Sequence, residues 1–383
     1  MPVPRKILIM AAPLGTGHKM AAATLAREAA RQGFAVVTAD VFSFLPGWLG
    51  RLVLAGYSLL LAWWPAGYAL MYGWGNRQAG SLRLRSWLNQ FLASRARAFL
   101  TREQPELVLV THATAAGILT AYKARYAPDL YLAGVVTDFV VHRWWLYKGI
   151  DTYFTATETA AAQLRQLAAQ NLHALPEVLV TGIPIRRHFS RMTYLYAREQ
   201  FHWEPGTLVC LLLGGGAGLL PMEAIVAKIR AAYPKHLQLV AVTGTNTDLA
   251  ASLSKYPGIT VYGYTDQLPD LLIGADVVVT KAGGLTLAEA VAAGPEIIIY
   301  KPLPGQEQGN TAYFTGQGLA SLARTPEEVL RYLQNYQRQP EPERAARLHK
   351  RQEAARPLAA QDIIRRLREK EAAAPGKQAG NFL

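Results

Sequence analysis

The run Thr280-Lys281-Ala282-Gly283-Gly284-Leu285-Thr286-Leu287-Ala288-Glu289-Ala290 is followed, after an apolar segment, by Tyr300-Lys301-Pro302-Leu303-Pro304-Gly305-Gln306-Glu307-Gln308-Gly309-Asn310. A strand end, a glycine turn, a helix start and a polar loop succeed one another. These are parts that could hold a phosphorylated, hydroxyl-rich ligand. A carboxylate such as Glu289 accepts from both hydroxyls of a ribose. The backbone N–H groups of Gly284, Leu285 and Thr286 at a helix start suit phosphate, and side chains from Gln306 through Glu307 to Asn310 suit the hydroxyls of a sugar. A further turn, Gly214-Gly215-Gly216-Ala217-Gly218, follows an apolar strand and precedes a helical segment with Glu223, so its open backbone fits a diphosphate.

Near the start of the chain, Ala12-Pro13-Leu14-Gly15-Thr16-Gly17-His18-Lys19 closes a first apolar strand and opens a helix. It is neither a Walker A loop nor a clean G-x-G-x-x-G, because Met20 stands at the last glycine place, which weakens an NAD or ATP reading. His18 falls at a helix N-terminus, where the dipole lowers an imidazole's pKa and keeps it neutral, as a general base must be. The alternative is that it caps the helix or binds a substrate hydroxyl. His112 at a strand end fits a turn as well as a site, and Arg143-Trp144-Trp145 fits packing as well as binding. The single cysteine, Cys210, lies in an apolar run that reads as a buried strand, which excludes an internal disulfide and fits a reducing cytoplasm.

The elements that must carry these residues alternate. Strand-like runs at 6–12, 34–39, 107–112, 131–137 and 152–156 are separated by Ala-rich helical patterns such as 20–32 and 114–126. The alternation restarts at 208–213, 237–242, 258–262, 277–280 and 296–300. Two α/β domains, each with a parallel sheet, are therefore expected across 383 residues, with the site in the cleft between them. The expected division is a first domain over 1–185, a linker over 186–206 and a second domain over 207–325. Charged helices over 326–371 and a loose tail over 372–383 complete the chain.

Residues 1–200 hold 21 Lys+Arg against 10 Asp+Glu, whereas residues 201–383 hold 19 against 17, so +11 of the net charge of +13 resides in the first half. The same half contains the uncharged segment 52–76, flanked by Arg51 and Arg77 and long enough to span a bilayer. Pro65, four glycines and the aromatics Trp63, Trp64, Trp74, Tyr57, Tyr68 and Tyr72 favour an element lying in the membrane interface over a spanning helix. No nucleic-acid recognition module accompanies the basic residues, so an anionic membrane surface is the expected partner and nucleic acid is not. The apolar run 7–14 is short and reads as a core strand, not a signal peptide.

The stretch 263–310 resembles the donor domain of GT-B glycosyltransferases, most closely the monogalactosyldiacylglycerol synthase and processive diacylglycerol glucosyltransferase family of glycosyltransferase family 28. The resemblance continues through Gly15 to His18, Val136-Thr137-Asp138-Phe139, His142-Arg143-Trp144-Trp145 and Thr181-Gly182-Ile183-Pro184-Ile185-Arg186, covering roughly 5–320. It implies two Rossmann-like domains facing across a cleft and an inverting transfer of glucose or galactose from a UDP-sugar to diacylglycerol. The enzyme would lie peripherally on the cytoplasmic face of the cell membrane, with UDP-hexose as co-substrate and no cofactor. By the resemblance, His18 or Asp138 is the base and Glu289 holds the ribose. Gly215, Gly216, Gly284, Leu285 and Thr286 meet the diphosphate, Gln306 and Glu307 meet the hexose, and Arg186 and Asn310 complete the donor site. Trp63, Trp64, His142, Trp144 and Trp145 face the lipid acceptor.

Relatives often have Lys-Pro-Gly-Gly where this chain has Lys281-Ala282-Gly283-Gly284, and a basic residue where Thr245 stands, departures that bear on the nucleobase contacts. No D-x-D pair accompanies the diphosphate turn, so no metal is expected. A transferase acting on a polyprenyl-linked cell-wall precursor and a non-catalytic lipid- or nucleotide-binding protein are the competing readings.

Overall fold

The computed structural model describes residues 5–12, 15–45, 47–52, 55–56, 67, 79–171, 176–190, 193–233 and 237–373. Most of the aromatic segment 52–76, including Trp63 and Trp64, lies outside the described residues. Among the described residues no helix is long and apolar enough to cross a membrane.

The first sheet is built from β1 (Lys6–Ala11), β2 (Ala35–Asp40), β3 (Leu107–Val110), β4 (Tyr131–Val135), β5 (Thr152–Thr155) and β6 (Glu177–Val180). Its order is β2-β1-β3-β4-β5-β6, and every pair is parallel. Helices α1 (Thr16–Arg31), α2 (Ala79–Glu103), α3 (Ala113–Tyr126) and α4 (Glu158–Asn171) make the crossovers. Because helices cover both faces, the central strands need apolar side chains in both directions, and the continuous Ile7-Leu8-Ile9-Met10 run meets that need.

After α5 (Tyr194–Gln200) the second sheet comprises β7 (Leu208–Leu213), β8 (Leu237–Val242), β9 (Ile259–Tyr262), β10 (Val277–Thr280), β11 (Glu296–Tyr300) and β12 (Ser321–Ala323). It runs β12-β11-β10-β7-β8-β9, again all parallel. Its helices are α6 (Glu223–Ala232), α7 (Thr247–Leu253), α8 (Leu268–Gly274), α9 (Gly284–Ala293), α10 (Gln306–Gly316), α11 (Pro326–Arg338) and α12 (Glu341–Ala354). Cys210 is buried in β7, and that burial pushes its thiol up to about 12, so it is chemically inert. Glu296, at the buried start of β11, receives the Arg351 guanidinium at 2.7 Å together with Arg347, which fastens α12 to this domain.

The last helix, α13 (Ala359–Ala373), returns to the first domain. Ala360, Ile363, Ile364 and Leu367 recur at the spacing of one helical face and are buried in a single core with Ile7, Ile9, Leu25 and Ala29. The chain's end thus completes the layer that its beginning starts. Ile363→Ala should lower stability by about 2–5 kcal/mol, read as a shift of the first-domain transition to lower urea, although the residue lies more than three hundred positions from β1.

Candidate active site

In each sheet one pair of neighbouring strands sends its connections in opposite directions, which opens a crevice at the strands' carboxyl ends. In the first sheet the pair is β1 and β3, whose ends lead into Gly15–His18 and Thr111–His112. In the second it is β7 and β10, whose ends lead into Gly214–Gly218 and Lys281–Gly284. The two crevices face one another around a cavity of ≈ 380 Å³. Thr16, His18, Thr137 and Asp138 line one wall; Gly215, Gly216, Lys281, Gly284, Leu285 and Thr286 line the other, with Gln306 and Glu307 at its side.

His18 stands in the first turn of α1, but its ring does not cap that helix. Nδ1 lies 2.9 Å from the Thr111 carbonyl oxygen and 2.7 Å from Thr137 Oγ1. A carbonyl can only accept, so Nδ1 carries the proton and Nε2 is left with the lone pair. Burial is the main cause that moves the imidazole below its usual pKa, opposed by the Asp138 carboxylate and the Thr111 carbonyl. The ring is therefore neutral near pH 7 for a different reason from the helix-end effect expected from sequence. His112 meets His18 edge to face at 4.6 Å, and its Nδ1 accepts from the Thr114 N–H, capping α3. It serves the turn.

Asp138 is buried in the cavity wall, and its Oδ1 accepts from Asn310 Nδ2 at 2.9 Å. Burial raises its pKa, while the charge of His18 and the Asn310 amide act the other way. Each member of the His18–Asp138 pair thus favours the charged form of the other, although neither hydrogen-bonds the other directly.

On the opposite wall, α9 opens onto the cavity with Gly284, Leu285 and Thr286, whose N–H groups have no partner inside the helix and carry the positive end of its dipole. Lys281 adds a cation there. Its Nζ lies 3.4 Å from Glu307 Oε1, while Glu307 Oε2 accepts from the Leu303 N–H at 2.7 Å, so Glu307 is already engaged and Gln306 is the more available polar group. Lys281, Thr16 and Thr137 also line the cavity; their motifs are expected there from the sequence, which assigns none of the three a role of its own. For Lys281 the signal was present, a cation directly after β10 ahead of two glycines. The walls approach closely: a side chain at Gly284 would collide with the Thr137 carbonyl, and one at Gly216 with Thr16.

Six other expected contacts lie outside the cavity lining. Glu289 and Arg186 are joined to each other, Arg186 Nε donating to Glu289 Oε1 at 3.0 Å, and Glu289 is buried one turn along α9 on the face of Leu285. Burial pushes the Glu289 carboxyl up and Arg186 pulls it down. Asn310 is fully buried between the domains. Trp145 corrects the expectation of a lipid-facing residue: it is packed in the first core against β4, and its carbonyl accepts from the Tyr153 hydroxyl, because its indole is large enough to fill that layer. Trp144 and His142 are half-buried beside it, with Arg85 over the Trp144 ring at 6.0 Å; burial takes His142 down to about 3, so it is neutral at any physiological pH. Among the described residues no group of His, Cys, Asp or Glu has the arrangement of a metal site.

Residues 18–185 match the family model for monogalactosyldiacylglycerol (MGDG) synthase, and residues 209–367 match that for the glycosyltransferase family 28 C-terminal domain. The chain is 30% identical over 338 residues to the processive diacylglycerol beta-glucosyltransferase of Bacillus licheniformis, covering 85% of each chain. It is 28% identical over 333 residues to the protein of the same name from Bacillus subtilis, again covering 85% of each. In fold it is similar to MurG of Acinetobacter baumannii, with a TM-score of 0.62 at 17% identity over 96% of this chain and 100% of that one.

The coupling between His18 and Asp138 gives a measurable sign. Asp138→Asn removes the negative charge that favours the imidazolium, so the His18 titration followed by NMR should move to lower pH than in the parent protein. An unmoved or upward-shifted titration would mean that the two groups do not interact.

Proposed function

The chain belongs to the processive diacylglycerol glucosyltransferase family, with its monogalactosyldiacylglycerol synthase and family 28 C-terminal domains, and from that premise we propose that it transfers a hexose from UDP to diacylglycerol in a single inverting displacement. The observation that carries this reading is the opposition, across one cavity, of a neutral histidine with a carboxylate beside it and a cationic helix start.

The acceptor hydroxyl gives its proton to His18 Nε2 as its oxygen bonds to the anomeric carbon. The bond from that carbon to the β-phosphate oxygen breaks on the opposite side, and its electron pair leaves with UDP. Asp138 stabilises the imidazolium that forms, and Thr111 holds the ring in the required tautomer. The departing diphosphate gains charge where the N–H groups of Gly284 to Thr286, the Gly215-Gly216 turn and Lys281 stand. A fixed cation and a helix start supply the charge that a metal would otherwise supply. Gln306 reads hexose hydroxyls.

Diacylglycerol reaches the site from a membrane surface in this reading. On α2, Trp87 is 62% exposed and stacks on exposed Phe91 one turn away at 6.1 Å, with Leu88 beside them. Exposed Arg95 and Arg97 follow on the same helix, and Trp48 and Leu52 are also exposed in this domain. Aromatic side chains edged by arginine suit the boundary of an anionic leaflet, which supports a peripheral position on the cytoplasmic face.

Radiolabelled UDP-glucose and UDP-galactose, each offered with diacylglycerol in anionic vesicles, should yield glycolipid from at least one donor, with undiminished turnover in EDTA. His18→Ala should reduce turnover about 100-fold or more, the usual contribution of a positioned base. No product from either donor would overturn the acceptor assignment, and loss of activity in EDTA would overturn metal independence. The double variant Trp87→Ala/Phe91→Ala should sediment less with anionic vesicles while retaining turnover on detergent-dispersed diacylglycerol within about twofold.

A further inference from the structure

Asp138 is carried by the first domain but held by the second. The loop that follows β4 is anchored at Val136, whose N–H donates to the Phe154 carbonyl in the first sheet. Three residues later Phe139 belongs to the second domain's core, stacked on Tyr313 at 5.5 Å and edge to face with Phe314 at 4.7 Å. Gly309 in α10 leaves room for Val140, which a side chain there would strike. The adjacent Asn310 is fully buried, with Oδ1 accepting from the Phe139 N–H at 2.9 Å and Nδ2 donating to Asp138 Oδ1 at 2.9 Å and to the Ala282 carbonyl at 3.0 Å.

These partners fix the amide's orientation. A backbone N–H only donates and a backbone carbonyl only accepts, so the oxygen must face Phe139 and the nitrogen must face Ala282 and Asp138. Both amide hydrogens are consumed, so Asn310 has none left for a sugar hydroxyl. Asp138 Oδ1 must accept, which favours the carboxylate over the acid. The other groups facing Asp138 are His18 from α1, Glu307 from α10 with Lys281 paired to it, and the start of α9 at Gly284.

We propose that Asn310 is a positioning residue, whose amide orients Asp138 as an acceptor toward the catalytic cavity and makes that orientation depend on the docking of α10 against the loop after β4. The proposal rests on the reading of His18 and Asp138 as the proton-accepting pair. Domain contact then assembles the pair: separation of the domains would withdraw the group that holds Asp138 charged.

The test compares steady-state hexose transfer by the full-length parent, Asn310→Ala, Asp138→Asn and the double variant across pH. Asn310→Ala should lower kcat about tenfold or more and leave the KM for UDP-hexose within about threefold, the pattern of a lost reaction-step interaction. Without the amide donor Asp138 takes up a proton more readily, so the acid limb of kcat/KM should move to higher pH. Asp138→Asn keeps an oxygen that can accept from Asn310, and the double variant should be no slower than it. Gly309→Ala, which displaces α10 while retaining the amide, should reproduce the loss of kcat if Asn310→Ala does not fold. UDP binding by calorimetry confirms that the donor domain of each variant is intact. A raised KM with unchanged kcat and pH limb would make Asn310 a sugar ligand, and additive losses in the double variant would mean it acts elsewhere; either overturns the proposal. Full activity in Asp138→Asn would instead sink the reading of Asp138 itself, a result distinct from any behaviour of Asn310.

Discussion

Close approach of two backbones is the constraint from which the site follows. The turn that starts α9 must lie against the Thr137 carbonyl, and the turn after β7 must lie against Thr16, with no side chain between them at Gly284 or Gly216. Only then do groups from two separate sheets come within reach of one small ligand. The contact is held by apolar burial at its flank: burying a Phe side chain contributes about 1.5–3 kcal/mol, and Phe139 is buried in the core of the domain opposite its own sheet.

Charge is arranged around this contact so that each group is partly compensated before a ligand arrives. His18 and Asp138 favour one another's ionised forms, Lys281 is paired with Glu307, and Arg186 with Glu289. An ionised group buried alone would neutralise instead of remaining charged. Pairing offsets part of the cost of burying these carboxylates and cations away from water.

The surface of the first domain is built differently. Aromatic side chains and arginines are exposed together on α2, whereas Trp145 has been drawn into the core although it sits in a similarly aromatic, basic stretch of sequence. Trp87 sits on the exposed face of a helix. Trp145 lies in a short turn where Gly134 leaves room for its ring, so its fate was set by the neighbouring strand and not by its own type.

The alternation of apolar strands with Ala-rich helices was legible in the residues, because a strand covered on both faces must be apolar in both directions, as in 7–10 and 208–213. The glycine turns, His18 and the polar run after Gly305 were legible too, since helix starts that meet anions and open backbones have few sequence solutions. What the residues alone left open depended on partners far away in the chain. The tautomer of His18 is decided by Thr111, ninety-three positions on; the Asn310 amide is spent on Asp138, 172 positions before it; α13 joins the first core from the opposite end of the chain. Local patterning reports a residue's own backbone and exposure. The direction in which a polar side chain spends its hydrogen bonds is fixed only when the two domains meet, because each donor needs an acceptor that another element supplies.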